Sequence, residues 1–178
     1  MELVEDSYQC RMVGKFRNHV SPITDLASSN TKQGKVRLLL PRTVLASHVQ
    51  VLASGDSSGI VTIWSLEEES GTLVQMAKME DWAGFPVTTL CIWNKYKEGI
   101  VAAGFGSGHI RLFSIPDGRV LCEIAAHNGW ITGMDLASQS GLLLSCAEDG
   151  YVRVGYGLVM AGVLTQSYRS GSWLPRDH

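Results

Sequence analysis

Apolar and β-branched residues in this sequence occur in short runs separated by clusters of glycine, aspartate and serine. The stretch from Val51 to Trp64, VLASGDSSGIVTIW, is typical, because two apolar runs flank such a cluster. Glycine accepts positive φ, and aspartate and serine side chains bond locally to the backbone, so the cluster predicts a tight turn. The stretch is therefore predicted to form a β-hairpin.

The same layout returns at Val101 to Phe113 and at Leu143 to Val154. The turn glycines of the three copies, Gly59, Gly108 and Gly150, lie 49 and 42 residues apart. A repeat of this length, with about four short strands in each unit, is typical of a β-propeller blade. Radial closure usually takes at least about four blades. The sequence therefore predicts an all-β fold, an incomplete propeller of about three four-stranded blades in an open arc.

The units share a further layout outside the hairpin. A histidine in a loop precedes a strand by four residues, the chain passes through a Ser/Gly/Asp hairpin, and the first unit ends at Trp64. His19 opens the first unit and His127 opens the third. This layout resembles the WD-repeat family over roughly residues 10 to 154. The resemblance implies an incomplete WD-repeat β-propeller, and it implies little about function, because propellers host many unrelated functions.

The repeat also divides the chain into parts. Two segments fall outside the repeat: one lengthens the turn after the first inner strand, and the other follows the third blade. The predicted parts are, in chain order, an N-terminal extension (1–9), a stray outer strand (10–16), a first blade (19–79) with a loop insertion (28–48), a second blade (83–125), a third blade (127–154) and a divergent, poorly ordered tail (155–178).

The resemblance also implies a structural network in each blade. In WD-repeat proteins a loop histidine, a turn aspartate, a serine or threonine on the second strand and a tryptophan on the third are hydrogen-bonded together. Such a buried polar chain stabilises a fold only when every member has a partner. The matching positions are His19, Ser54 and Trp64 in the first blade and His127, Ser145 and Asp149 in the third.

Several positions depart from this pattern. Ser58 stands in the aspartate position of the first blade, and Gly155 replaces the tryptophan of the third. The second blade is predicted to rely on packing alone, since its four positions hold Ala83, Ala103, Ser107 and Phe113.

Two motifs have the composition of enzyme sites. Gly104 to Gly108 follows a strand, as a dinucleotide-binding loop does, but such a loop must open a helix. Here His109 to Phe113 alternates like a strand. The histidine, serine and aspartate of the third blade have the composition of a nucleophilic triad, yet the resemblance assigns them structural positions. We therefore predict no catalytic residue, no cofactor-binding residue and no cofactor.

Cysteine spacing and the chain's hydropathy limit the remaining possibilities. The four cysteines, at positions 10, 91, 122 and 146, include no CxxC pair, so no metal site is predicted. Buried reduced thiols are typical of a cytoplasmic protein. The acidic N-terminus has no apolar core of a secretory signal. The longest weakly polar run, Gly155 to Leu164, is half of the roughly 20 residues that a membrane span needs.

Composition and charge favour a folded protein without a general affinity for polyanions. The chain has 178 residues, 45% of them hydrophobic and 18% charged, and its formal net charge is -2. That charge provides no field that attracts nucleic acid or an anionic membrane. The sequence therefore predicts a non-enzymatic scaffold for protein–protein interaction, with unidentified protein partners, no small-molecule substrate and no membrane insertion.

The candidate partner-binding face is formed by Trp82, Phe105 and Trp130. The resemblance places these residues on the side where the loops entering each blade meet the hairpin turns. Aromatic residues at exposed loop tips often anchor interfaces. Packing of the tryptophans against neighbouring blades is the alternative role.

A second function remains open, namely recognition of a modified peptide or of nucleic acid. Its candidate site is the basic loop at 32–42, which holds Lys32, Lys35, Arg37 and Arg42. A polyanion would require these charges to cluster on one surface. Exposed blade edges would also permit self-association.

Overall fold

The computed structural model describes residues 15–29, 50–67, 72–80, 84–93, 99–137 and 140–156. Within these ranges the chain contains eleven β-strands and no helix. The strands are β1 (Ile23–Ser28), β2 (Gln50–Asp56), β3 (Val61–Glu67), β4 (Thr72–Met79), β5 (Val87–Trp93), β6 (Ile100–Phe105), β7 (His109–Ser114), β8 (Val120–Ala125), β9 (Ile131–Ala137), β10 (Leu142–Ala147) and β11 (Val152–Tyr156).

The strands form three antiparallel sheets, and each sheet is one blade. The first blade has the order β1-β2-β3-β4, the second β5-β6-β7-β8 and the third β9-β10-β11. Among the described residues no sheet closes into a barrel. The predicted fold class, an all-β incomplete propeller with about three blades in an open arc, is confirmed. The third blade has three strands instead of four in the part of the chain that the structure describes.

Some strand boundaries differ from the predicted parts. β11 continues to Tyr156, two residues past the predicted end of the third blade, because Gly155 pairs with Leu143 through the backbone and needs no side chain for this. Lys15 and Phe16 are not in a strand. The rest of the predicted 10–16 strand lies outside the described residues, as do 1–9, most of the 28–48 insertion and 157–178.

The two ends of the insertion are joined by backbone contacts. The Ser29 N–H donates to the Val51 carbonyl at 2.8 Å, and the Val51 N–H donates to Ser29 Oγ at 2.9 Å. Both residues are buried. β1 and β2 therefore form an antiparallel pair, although a long segment separates them in the sequence.

Neighbouring blades pack face to face, with β5 lying between β1 and β9. Two apolar cores result, one on each side of the second blade. Burying each aliphatic side chain contributes about 1.5–3 kcal/mol. The first core includes Val51, Ala53, Val61, Ile63, Val87, Leu90, Val101, Ala103, Phe105 and Phe113. The second includes Trp93, Ile100, Ala102, Ile110, Leu112, Ile131 and Leu143.

Glycines on the second strand of a blade allow this close packing. A Cβ at Gly55 would lie 2.8 Å from the Cβ of Val87, and a Cβ at Gly104 would lie 3.1 Å from Cγ2 of Ile131. Both apolar partners are fully buried. Each partner is the first residue of the following blade's inner strand, and its side chain occupies the space that a Cβ of the glycine would take.

Polar contacts also join the first two blades near their inner strands. Thr24 Oγ1 donates to the Val87 carbonyl at 2.6 Å. The Leu90 N–H donates to Asp25 Oδ2, also at 2.6 Å. These bonds connect β1 to β5 and fix the relative position of the blades, because each needs a defined distance and direction.

Candidate functional site

A hydrogen-bonded chain of side chains connects the loop before the first blade to its second and third strands. Trp64 Nε1–H donates to Ser54 Oγ at 2.8 Å, and Ser54 Oγ lies 2.7 Å from His19 Nε2. On the other side of the ring, His19 Nδ1 lies 2.7 Å from Asp56 Oδ2. A carboxylate beside Nδ1 favours the tautomer with the proton on that nitrogen, so Nε2 accepts from the serine hydroxyl.

The acidic member of this chain is Asp56. The sequence prediction put Ser58 in the aspartate position, and this assignment is wrong for the first blade, because the carboxylate beside His19 is that of Asp56. Asp56 lies at the start of the turn, two positions earlier, and its carboxylate reaches the histidine from there. Ser58 instead donates its hydroxyl to Asp56 Oδ1 at 2.7 Å.

Asp56 is held as a carboxylate by its surroundings. Burial opposes its ionisation, but hydrogen bonds from Ser58, His19 and the Ile60 N–H outweigh this, so the pKa of Asp56 lies below its ordinary value of 3.8. Its side chain is fully buried. A buried carboxylate with this many donors ties the hairpin turn to the loop of His19.

The third blade contains a shorter chain of the same kind. His127 Nε2 lies 2.8 Å from Ser145 Oγ, and His127 Nδ1 lies 3.0 Å from Asp149 Oδ2. Burial again opposes ionisation, while the Tyr151 N–H and His127 lower the pKa of Asp149 below 3.8. This series of hydrogen bonds ends at Ser145, because Gly155 stands at the strand position that Trp64 has in the first blade.

The second blade has apolar residues at the corresponding register. Ala103 pairs with Leu90 as Ser54 pairs with Leu26, and Phe113 takes the position of Trp64. Both are buried in the first core. Ser107 contacts His109 Nδ1 at 3.2 Å within the turn. Ala83 lies outside the described residues.

The two serine–histidine–aspartate sets do not present a nucleophile. Ser54 and Ser145 are each 3% exposed, and each hydroxyl lies against a histidine beneath the hairpin. Attack on a substrate requires that the hydroxyl reach the reacting carbon and that oxyanion donors lie beside it. These sets therefore hold the loops and turns of each blade in place.

The members of the predicted partner-binding face differ in their exposure. Trp130 is 42% exposed, and its ring covers Gly106 beside Pro86. Phe105 is 1% exposed, and its assignment as an exposed anchor is wrong. It shares the face of β6 that carries Val101 and Ala103 into the first core. Trp82 lies outside the described residues.

Two further aromatics are exposed at the same end of the blades as Trp130. Phe85, in the loop that enters the second blade, is 44% exposed, and Tyr151, after the turn of the third blade, is 63% exposed. The guanidinium of Arg153 lies 5.5 Å from the Tyr151 ring centre. Sequence reasoning missed both. Their position directly before or after a strand, beside Pro86 or Gly150, was the available signal.

Comparison with known proteins assigns the family. A family model described as WDR54 matches residues 10–159 of this chain. The chain belongs to the WDR54 family. The predicted WD-repeat resemblance, and the narrower resemblance of residues 101–138 to WD repeat-containing protein 54, are confirmed.

Curated members of the WDR54 family match most of this chain. WD repeat domain 54 of Rattus norvegicus is 33% identical over 140 residues, which cover 79% of this chain and 36% of the rat protein. WD repeat-containing protein 54 of Homo sapiens is 31% identical over 140 residues, with the same two coverages. The chain thus spans little more than a third of the length of these relatives.

A solved structure supports the fold of this WDR54 family member. A chain in the crystal structure of an active polycomb repressive complex 2 in the basal state aligns with a TM-score of 0.59 and 10% identity. The alignment covers 75% of this chain and 27% of that chain. At such low identity the likeness concerns the fold alone.

Metal ligands, membrane-spanning helices and reactive thiols are the other features that could form a site among the described residues. These residues contain no cluster of three or more histidine, cysteine or acidic side chains that could hold a metal ion. No helix in the described ranges is long and apolar enough to cross a membrane. Cys91, Cys122 and Cys146 are free thiols. Burial, with the charges of Asp135 and Asp25 nearby, raises the pKa of Cys91 to about 12, which leaves it protonated at neutral pH.

Proposed function

We propose that this WDR54 family member is a non-enzymatic scaffold that binds protein partners through the loop end of its blades. The loop end is defined here by Phe85, Trp130 and Tyr151. The observation that carries the proposal is the exposure of these three aromatics, of 44%, 42% and 63%, whereas Trp93, Phe105 and Phe113 are each at most 3% exposed. Exposed aromatic side chains bury large areas on binding and are enriched among residues that dominate binding energy.

The loop end is supported by rigid structure beneath it. The His19 and His127 networks fix the loops that enter the first and third blades, and the Glu148 N–H donates to the Trp130 carbonyl at 2.9 Å. A preorganised surface loses less conformational freedom on binding than a mobile one. Trp130 is the member retained from the predicted face, and Trp82 stays a prediction.

The other predicted properties accompany this proposal. We propose a cytoplasmic location, in keeping with free thiols at the three described cysteines. We also propose that the chain has no small-molecule substrate and no cofactor, since both serine–histidine–aspartate sets are buried beneath their hairpins.

The alternative function, recognition of a modified peptide or nucleic acid, depends on the basic loop at 32–42, which lies outside the described residues. The two functions differ in whether nucleic acid must be present for a protein partner to be captured. A protein bound through the loop end remains bound after nuclease treatment, whereas a protein bridged by nucleic acid is lost.

The test is affinity capture from lysate with matched baits, in the presence and absence of nuclease. One bait carries Phe85→Ser, Trp130→Ser and Tyr151→Ser. The control bait carries Val74→Ser and Val120→Ser, which change exposed apolar residues on the outer strands β4 and β8. We expect wild type and control to retain nuclease-resistant partners and the triple variant to lose them. Equal capture by all three baits, or capture that nuclease abolishes, would overturn the proposal.

A further inference from the structure

Trp130 and Glu148 are neighbours at the loop end of the third blade. Trp130 is the last residue of the loop that enters this blade, and Glu148 lies in the turn between β10 and β11. The Glu148 N–H donates to the Trp130 carbonyl at 2.9 Å. A Cβ at Gly129 would lie 3.6 Å from the Cβ of Glu148. The side chains of Trp130 and Glu148 therefore leave the backbone next to each other.

The indole of Trp130 packs on one side against the second blade. A Cβ at Gly106 would lie 2.9 Å from Cε3 and Cζ3 of the indole, so the ring covers the backbone of that glycine. The Gly106 N–H in turn donates to the Pro86 carbonyl at 2.9 Å. Trp130 is nevertheless 42% exposed. The ring is thus fixed in place and presents aromatic surface to solvent, and a ligand can bind such a surface at little cost in conformational freedom.

The carboxylate of Glu148 is an exposed negative charge beside this ring. Within the ranges that the structure describes, the carboxylate has no hydrogen-bond or ion-pair partner. The charged residues that follow it in the sequence, Asp149 and Arg153, pair with each other, since Arg153 Nη2 lies 3.5 Å from Asp149 Oδ2. Asp149 is also bonded to His127. Glu148 therefore adds an unbalanced negative charge to the loop end.

The chain contains two places where an arginine combines an aromatic ring with a carboxylate. These sets are Arg111 with Phe105 and Glu123, and Arg153 with Tyr151 and Asp149. The guanidinium carbon lies 5.3 and 5.5 Å from the ring centres, and the nitrogen–oxygen distances are 2.6 and 3.5 Å. A guanidinium group can make both contacts at once, because it stacks through its flat face and donates through its edge.

Trp130 and Glu148 supply the ring and the carboxylate of a third set of this kind. In the described part of the chain no arginine or lysine completes it. The two completed sets show that this combination is compatible with the blades, and the exposed charge and ring of the third set are complementary to a planar cation. The missing member is therefore a guanidinium group from another molecule.

We propose that Trp130 and Glu148 bind an arginine side chain in an exposed segment of a protein partner. The guanidinium group stacks on the exposed face of the indole and donates to the Glu148 carboxylate. Arginine is preferred to lysine, because an ammonium group is more strongly hydrated and has no flat face. The inference rests on the proposed function, since it names the chemistry by which a partner is recognised at the loop end.

The test uses short peptides, so that the natural partner is not needed. The probe is acetyl-Ala-Arg-Ala-amide, and two matched peptides carry lysine or the neutral isostere citrulline in place of arginine. Proton–nitrogen correlation NMR follows the indole N–H signal of Trp130, which is assigned by its absence from Trp130→Phe. The test variant is Glu148→Gln. The control is Asp117→Asn, which also removes one exposed carboxylate but lies in the turn between β7 and β8, at the other end of the second blade.

We expect the arginine peptide to shift the Trp130 signal saturably and the citrulline peptide to leave it unchanged. The lysine peptide should bind at least about twofold more weakly than the arginine peptide. Glu148→Gln should weaken the Kd of the arginine peptide at least about threefold, since exposed ion pairs are individually modest. Asp117→Asn should leave that Kd unchanged. No binding of the arginine peptide, equal binding of the citrulline peptide, or an unchanged Kd in Glu148→Gln would overturn the proposal.

Affinity capture with the same variants separates this inference from the proposed function. Equal capture of nuclease-resistant partners by wild type and Glu148→Gln, with no binding of the arginine peptide, would overturn the arginine site and leave the loop end as a partner-binding surface. Binding of the arginine peptide that depends on Glu148, without capture of any nuclease-resistant partner, would support the arginine site and overturn the proposed function.

Discussion

The carboxylate of Asp56 lies 2.7 Å from Nδ1 of His19, and the pair is buried beneath the first hairpin. Asp56 also accepts from the Ser58 and Ile60 N–H groups, at 2.9 and 3.0 Å. This one side chain therefore joins the loop before the first blade to the turn between β2 and β3.

Replacing Asp56 by alanine should strongly destabilise the chain. The change leaves His19 and two backbone donors without their acceptor, and each buried donor left unsatisfied costs about 1–3 kcal/mol. Ser58→Ala is the matched control, because it removes one hydroxyl donor and should cost about 1 kcal/mol. Urea unfolding of both variants measures the difference. If Ser58→Ala lost more free energy of unfolding than Asp56→Ala, the assignment of Asp56 as the residue that holds His19 would be wrong.

The two aspartates should make stability depend on pH in the acid range. The pKa values of Asp56 and Asp149 are lowered in the folded chain, so the unfolded chain binds more protons. Their contribution is fully present above the unfolded value of about 3.8 and is lost as pH falls through the folded values. Urea midpoints from pH 6 to pH 3 should therefore decline. The decline should be smaller in Asp56→Asn with Asp149→Asn, and an unchanged decline would exclude these groups.

The contact between Gly55 and Val87 predicts a coupled pair of substitutions. Gly55→Ala places a Cβ 2.8 Å from the Cβ of Val87 and should cost about 1–3 kcal/mol by overpacking. Val87→Ala, alone, should cost a similar amount because it leaves a cavity. The double variant should lose less stability than the sum of the two, since the smaller side chain gives room to the new methyl group. Strict additivity in a double-mutant cycle would contradict the packing described here.

Corresponding positions in the first and second blades should respond differently to the same change. Leu90→Asp buries a charge in the first core and should unfold the chain or cost more than about 4 kcal/mol. Leu26→Asp alters a residue that is 69% exposed and should change the free energy of unfolding by no more than about 0.5 kcal/mol. Thermal unfolding followed by circular dichroism compares them. A large loss for Leu26→Asp would mean that its face is covered in the chain itself.

The repeat of hairpins was enough to predict the blades, because period-2 apolar runs and turn glycines act locally. Asp56 was missed because a carboxylate at either end of a tight turn can reach the same histidine. The position of the aspartate in one blade therefore does not determine its position in another. Phe105 was misplaced because its strand is buried on both faces, so alternation does not separate inside from outside. The exposure of Phe85 and Tyr151 depends on packing between blades, and their place at a strand end beside Pro86 or Gly150 was the one local signal of it.

The central claim, that the loop end binds a protein partner, is tested most directly at Trp130. The measurement is the Kd of a captured partner for wild type and for Trp130→Ala, with the Tm of each chain determined in parallel. An anchor residue contributes about 2 kcal/mol or more, so Kd should weaken at least about 30-fold. The Tm should fall by only a few degrees, because the side chain is already 42% exposed. An unchanged Kd, or a loss of binding that accompanies unfolding of the chain, would contradict the account.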